Sequence, residues 1–150
     1  MPGQLIILAA RPGMGKTSLA LNIAINCTIA TRLPIAIFSL EMLSNELSMR
    51  ILSSEAKVDS KRLRMKNFLD TDLRSIGMAV QELSELPIHI NDSGDTTVID
   101  IQSQCRKIKS ERGLGLVIVD YLQLLKPATN NPSREQQISE MSRSLKSMAK

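Results

Sequence analysis

The chain has 150 residues, 43% of them hydrophobic and 23% charged, with a formal net charge of +4. That describes one globular domain able to bury a core without covalent staples, and it permits an anionic partner without demanding one. No apolar run approaches the roughly 20 residues of a membrane-spanning helix, and "MPGQLIILAARPG" lacks the basic lead and cleavage site of a secretion signal, so a cytoplasmic setting without membrane contact is expected.

In chain order, "QLIILAA" at 4–10 reads as a buried strand, being short, apolar and ended by turn residues. Lys16 to about Ala30 reads as a helix with Leu19, Ile23 and Cys27 inward at four-residue spacing. "PIAIFSL" at 34–40 is a second buried strand, and Ser44 is the expected N-cap of a helix to about Lys57, with Glu46 at its positive end. Residues 59–86 are helical and more polar; Asp70 is a plausible cap, and Leu73, Ile76, Val80 and Leu83 form one stripe. "PIHI" is a third strand. Thr97 and Asp100 fit a capping box for a helix to about Arg112, which Gly113 ends. "LGLVIVDYL" is a fourth buried strand and "KPATNNP" a loop. Ser133 and Gln136 suggest another capping box before a last helix with Ile138, Met141, Leu145 and Met148 inward. Continuously apolar strands alternating with helices define an α/β fold: a parallel sheet flanked by helices on both faces.

Several chemistries lack their parts. Cys27 and Cys105 stand alone, without a C-x-x-C pair, and read as free thiols. His89 is the only histidine, so zinc has no ligand set. Phe38, Phe68 and Tyr121 are the only aromatic residues, a thin basis for stacking nucleic-acid bases.

The stretch "ARPGMGKT" at 10–17 carries the strongest signal. It matches the phosphate-loop pattern G-x-x-x-x-G-K-S/T between a strand and a helix, except that Ala10 replaces the first glycine. Such a turn aims backbone N–H groups and a helix N-terminus at one concavity, and the helix dipole adds positive potential. Arg11, Pro12, Gly13, Met14, Gly15, Lys16, Thr17 and Ser18 are therefore the expected nucleotide contacts. Lys16 can reach the β- and γ-phosphates, and Thr17 can offer its hydroxyl to Mg²⁺. The dinucleotide pattern G-x-G-x-x-G fails, because Ser18 stands where it wants a small apolar residue. Asp120 ends an apolar strand and can face a metal held by the loop. Glu41 follows the second strand directly. It is a candidate for orienting an attacking water, or else a first-turn acid that complements a helix dipole. Lys61, Arg62, Arg64 and Lys66 read as a solvated helix face, as do Arg106, Lys107, Lys109 and Arg112. Arg134 reads as a first-turn charge before a ligand contact.

Together, "LIILAARPGMGKTSLALNIA", "IFSLEM", "LVIVDYLQLL" and "SREQQISEMSRSLKSMAK" resemble the C-terminal motor domain of DnaB-type replicative DNA helicases, in order and along the whole chain. Ala at the first loop position, Arg-Pro after it, and "DYLQL" belong to that resemblance. It implies a RecA-like P-loop NTPase fold, with residues 1–150 a partial ATPase domain. It implies ATP and Mg²⁺ as cofactors, and a homohexamer that moves on single-stranded DNA at a replication fork. Primase and a helicase loader are the implied partners. Lys16 and Glu41 become the catalytic residues, and Thr17 and Asp120 the metal-side pair. The family's primase-interacting domain is missing, and "MPGQL" reads as an internal start, so a fragment is expected.

The resemblance further implies a strand after Lys150, lying between the 4–10 strand and the Asp120 strand. That later segment would carry the γ-phosphate sensor, and the arginine finger and main DNA loops would come later still. Without it, the two flanking strands should have unpaired facing edges or shift to pair directly. Two rival functions keep the loop: a nucleotide-binding switch or assembly ATPase of the same fold without unwinding, and a small-molecule phosphotransferase, which would want an Arg-rich lid.

Overall fold

The computed structural model describes residues 3–125 and 133–150. Its elements are α1 (Lys16–Thr31), β1 (Ile35–Ser39), α2 (Ser44–Ala56), α3 (Ser60–Met65), α4 (Asp70–Ser84), β2 (Ile88–Asn91), α5 (Val98–Arg112), β3 (Leu116–Asp120), a 3₁₀ turn (Leu122–Leu124) and α6 (Arg134–Ala149). The expected loop at 126–132 lies outside the described residues.

The sheet is parallel, in the order β2-β1-β3. Ile35 pairs with Ile88 and Leu116, and Ser39 pairs with Asp120. Successive strand side chains point to opposite faces, so β1 serves two cores. Ile35 and Ile37, with Ile90 and Ile118 beside them, pack against Leu21 and Ile25 of α1 and Leu47 and Ile51 of α2. Ala36 and Phe38, with Val117 and Val119, pack against Val98, Ile101 and Cys105 of α5 and Met141 and Leu145 of α6. All five β1 residues are buried, which is why the run carries no polar alternation. A third cluster joins Ala56, Val58 and Leu63 to Ala79 of α4. Helices on both faces of a parallel sheet match the expected architecture.

Residues 4–10 do not match. They form no strand, and Ile6 and Ile7 are 81% and 76% exposed. A strand exists through its partners, and among the described residues none pairs with this segment or with the outer edge of β3. The outer edge of β3 is unpaired, as one of the two expected outcomes has it, but the 4–10 segment that should face it is no strand at all.

Two helical stripes are also rotated from expectation. In α1 the buried residues are Leu21, Ala24, Ile25 and Thr28, while Leu19 and Ile23 are about half exposed. Apolar residues lie all round this helix, so spacing alone selects no face. Thr28 can be inside because its hydroxyl donates to the Leu33 carbonyl at 2.9 Å. In α4, Leu73 and Val80 are exposed, whereas Asp72 and Ala79 are buried. The Asp72 carboxylate accepts from the Leu69 amide at 2.9 Å and pairs with Arg62 at 2.8 Å. Asp72 therefore holds the start of α4, in place of Asp70, and Arg62 is a structural residue.

Ser44 begins α2 without capping it; its amide donates to Asp92 Oδ2 at 2.7 Å. Ser133 likewise makes no side-chain cap to α6. The Thr97–Asp100 capping box and the end of α5 at Gly113 follow the sequence expectation; of the inward set of α6, Met141 and Leu145 are buried, Met148 packs against them, and Ile138 is half-buried. Cys27 and Cys105 are free thiols.

Candidate nucleotide-binding site

Parallel strands bring their C-terminal ends to one edge, where α/β proteins bind ligands. Ser39, Asn91 and Asp120 end the three strands there. The segment 11–15 turns beside this edge, with the Met14 amide donating to the Arg11 carbonyl at 3.2 Å. Gly13 and Gly15 have φ of +79° and +81°, a left-handed backbone that L side chains enter at a cost. Each faces open space: a Cβ built on either meets nothing within 4 Å. Both glycines are thus required by backbone shape, and the turn stays open to a ligand.

Gly15 caps α1 without a side-chain hydrogen bond, and the first turn has no acidic residue. The first helical hydrogen bond runs from the Leu19 amide to the Gly15 carbonyl at 2.9 Å. The preceding amides have no acceptor one turn back, and no acid within the helix's own first turn offsets the positive end of its dipole.

Lys16 and Thr17 converge on Asp120. Lys16 Nζ lies 2.8 Å from Asp120 Oδ1, and the Thr17 hydroxyl donates to Asp120 Oδ2 at 2.7 Å. Asp120 is buried, at 8% exposure. The ammonium also lies over the Tyr121 ring, 4.8 Å from its centroid. Three residues singled out from sequence, two at the loop and one at a distant strand end, thus form one constellation. A carboxylate and a hydroxyl are hard oxygen donors, which suit Mg²⁺. The lysine and the open amides suit phosphate oxygens.

Glu41 is exposed just past β1, and the backbone around it is fixed. The Ser39 hydroxyl donates to the Met42 carbonyl at 2.7 Å and accepts from the Met42 amide at 3.1 Å. The Leu40 amide donates to the Asp120 carbonyl at 2.8 Å. Glu41 therefore leaves the sheet on the strand next to Asp120, at the same edge. Asp92, just beyond β2, is the third acid there. The Ser44 amide and then the Ser44 hydroxyl hold its carboxyl below the usual carboxylate range.

Arg11, Pro12, Met14 and Ser18 are exposed around the loop. Ser18 opens onto a groove of about 770 Å³ between α1 and α2. Arg134 is tied locally: its guanidinium donates to the Gln123 carbonyl and, at 3.1 Å, to Gln137 Oε1. Among the described residues no cluster of three or more metal-ligating side chains occurs, and no helix is long and apolar enough to cross a membrane. Sequence reasoning missed Tyr121 and Ser39. Their adjacency to a strand-end acid and a post-strand acid was the available signal.

The parallel α/β sheet, with a glycine-bent turn opening a helix against a strand-end aspartate, defines a P-loop nucleotide-binding domain of the RecA-like kind. The model of the DnaB-like helicase C terminal domain matches residues 1–150. The chain belongs to that family. It is 44% identical over 147 residues to the replicative DNA helicase DnaB of Geobacillus stearothermophilus, covering 97% of this chain and 32% of that protein. The replicative DNA helicase DnaC of Bacillus subtilis gives the same identity and coverage. Among solved structures, a DnaB-like replicative helicase, described with its interactions with primase, superposes with a TM-score of 0.86 at 36% identity, over 93% of this chain and 34% of that one. A separately solved ATPase domain gives the same score and identity over 50% of its own length. The chain spans about a third of the length of the curated relatives it matches.

Proposed function

We propose that residues 1–150 are part of the RecA-like motor domain of a replicative DNA helicase, which hydrolyses ATP to move along single-stranded DNA. The observation that carries this reading is the convergence of Lys16 and Thr17 on Asp120 at the open end of the phosphate loop. Family membership and the names of the relatives support it.

In this reading the amides of 13–18 and the Lys16 ammonium hold the phosphates of ATP, with Arg11, Pro12 and Met14 forming the outer wall of the loop. Thr17 and Asp120 hold Mg²⁺, which when bound supplies positive charge against the phosphate oxygens. Glu41 orients the attacking water and takes its proton, from a turn that Ser39 keeps rigid. Lys16 leaves Asp120 to meet the charge that develops on the transferred group. Repetition around a homohexamer moves DNA at the fork, in the cytoplasm, with primase and a loader as partners.

The test is a pair of variants in the intact protein. Lys16→Ala should abolish ATP binding. Glu41→Gln should keep ATP affinity and lose turnover. Unchanged turnover in Glu41→Gln removes its catalytic role, and tight binding by Lys16→Ala removes the nucleotide site. Hydrolysis that single-stranded DNA does not stimulate would favour a nucleotide-binding switch over a translocating motor.

A further inference from the structure

We infer that Tyr121 is a positioning residue for the loop lysine: its ring face keeps the Lys16 ammonium at the strand end when Asp120 gives up its ion pair. The inference rests on the phosphate-loop reading above.

Among the described residues Lys16 meets Asp120 Oδ1 at 2.8 Å and the Tyr121 ring at 4.8 Å. They differ in kind. The carboxylate competes with phosphate for the ammonium, since both are anions. It is also the group that a divalent cation would claim. The ring competes with neither. A cation over an aromatic face is held by the ring quadrupole within about 6 Å of the centroid, and an ammonium touching a ring on one side keeps its remaining N–H donors free. The ring contact therefore survives the exchange of carboxylate for phosphate.

A lysine released from Asp120 without such a contact would regain the rotamer freedom of a long side chain, and binding phosphate would have to freeze it again. Tyr121 reduces that cost. It directly follows Asp120 at the end of β3, and ring and carboxylate reach the same ammonium from these two adjacent residues. Its side chain is half-buried, and the described hydrogen bonds give its hydroxyl no part in the contact.

The experiment measures triphosphate affinity with Mg²⁺ in the intact protein by fluorescence of a labelled ATP analogue. Tyr121→Leu should weaken binding about two- to fivefold, the worth of one cation–ring contact at a partly exposed site. Tyr121→Phe should bind as the parent does, because the ring and not the hydroxyl acts. Ring-fluorinated phenylalanines at 121 keep the shape while draining the quadrupole, and affinity should fall stepwise with fluorine count. A flat fluorine series, or a loss in Tyr121→Phe equal to that in Tyr121→Leu, overturns the inference and leaves the phosphate-loop reading standing. Undiminished affinity in Lys16→Ala alone overturns both.

Discussion

Replacing Asp120 by Asn tests the centre of the site, because it removes one charge and keeps the shape. The pair it breaks is partly dry, with Lys16 and Asp120 side chains 28% and 11% exposed. Exposed ion pairs are worth about 0.2–1 kcal/mol, whereas breaking a buried pair costs about 3–5 kcal/mol. Asn can still accept from Thr17, and Lys16 can turn to water. The ligand-free chain should therefore lose about 1–2 kcal/mol, read as a lower urea midpoint at constant slope.

Binding should move the other way when no divalent cation is present. In the parent, Asp120 occupies Lys16 and Thr17 and repels an incoming triphosphate. In Asp120→Asn the lysine is free, so triphosphate without metal should bind about five- to thirtyfold tighter, the same 1–2 kcal/mol recovered. Added Mg²⁺ should then increase affinity in the parent and much less in the variant. Equilibrium titration with and without EDTA separates these outcomes. An unchanged urea midpoint together with unchanged metal dependence would refute the reasoning.

Gly15→Ala should cost about 1–2 kcal/mol in thermal unfolding, because φ is +81° with no steric neighbour to blame. Gly77→Ala is the control: it lies inside α4 with open space at its Cβ, and should stabilise by about 1 kcal/mol. Thr97→Ala should cost about 1 kcal/mol, since the Thr97 hydroxyl and the Asp100 carboxylate cap the start of α5 reciprocally. Burial raises the Cys105 thiol from 9.0 to about 11, so Cys27 should react first with iodoacetamide at pH 8. Above pH 9 the unfolded thiol ionises while the folded one stays protonated. Stability should therefore fall as pH rises from about 9 to 11, by about 1.4 kcal/mol per unit from this group, and Cys105→Ala should flatten that slope in urea titrations.

What the sequence revealed was local. The Thr97–Asp100 box and Gly113 bounded α5 because the capping residues are neighbours of the turns they close. "PIAIFSL" reads as a buried strand because two packed faces leave no polar alternation, and β1 is buried throughout; "LVIVD" is a strand as expected, but at the sheet edge it is half-buried except for Asp120. The phosphate loop was legible from its glycines, and the pairing of Lys16 and Thr17 with Asp120 followed from where strand ends must meet. What stayed hidden depends on distant partners. The amide of Ser44 is satisfied by Asp92, 48 residues away, and no spacing rule near Ser44 points there. Residues 4–10 have the composition of a strand, but composition cannot supply the neighbouring strand that makes one. The facing sides of α1 and α4 differ from what apolar spacing predicts because Thr28 and Asp72 are polar residues that go inside with their own hydrogen-bond partners. Nothing in the sequence around Tyr121 shows that its ring lies beneath the lysine, because Lys16 is more than a hundred residues away.

The rung joining Ser39 to Asp120 has a mechanical consequence. Adjacent strands sit about 4.8 Å apart, so two acids leaving neighbouring strands are gauged by the ladder itself. Springs and hinges belong outside that pair, because stretching the gauge would break the rungs that join β1 to β3.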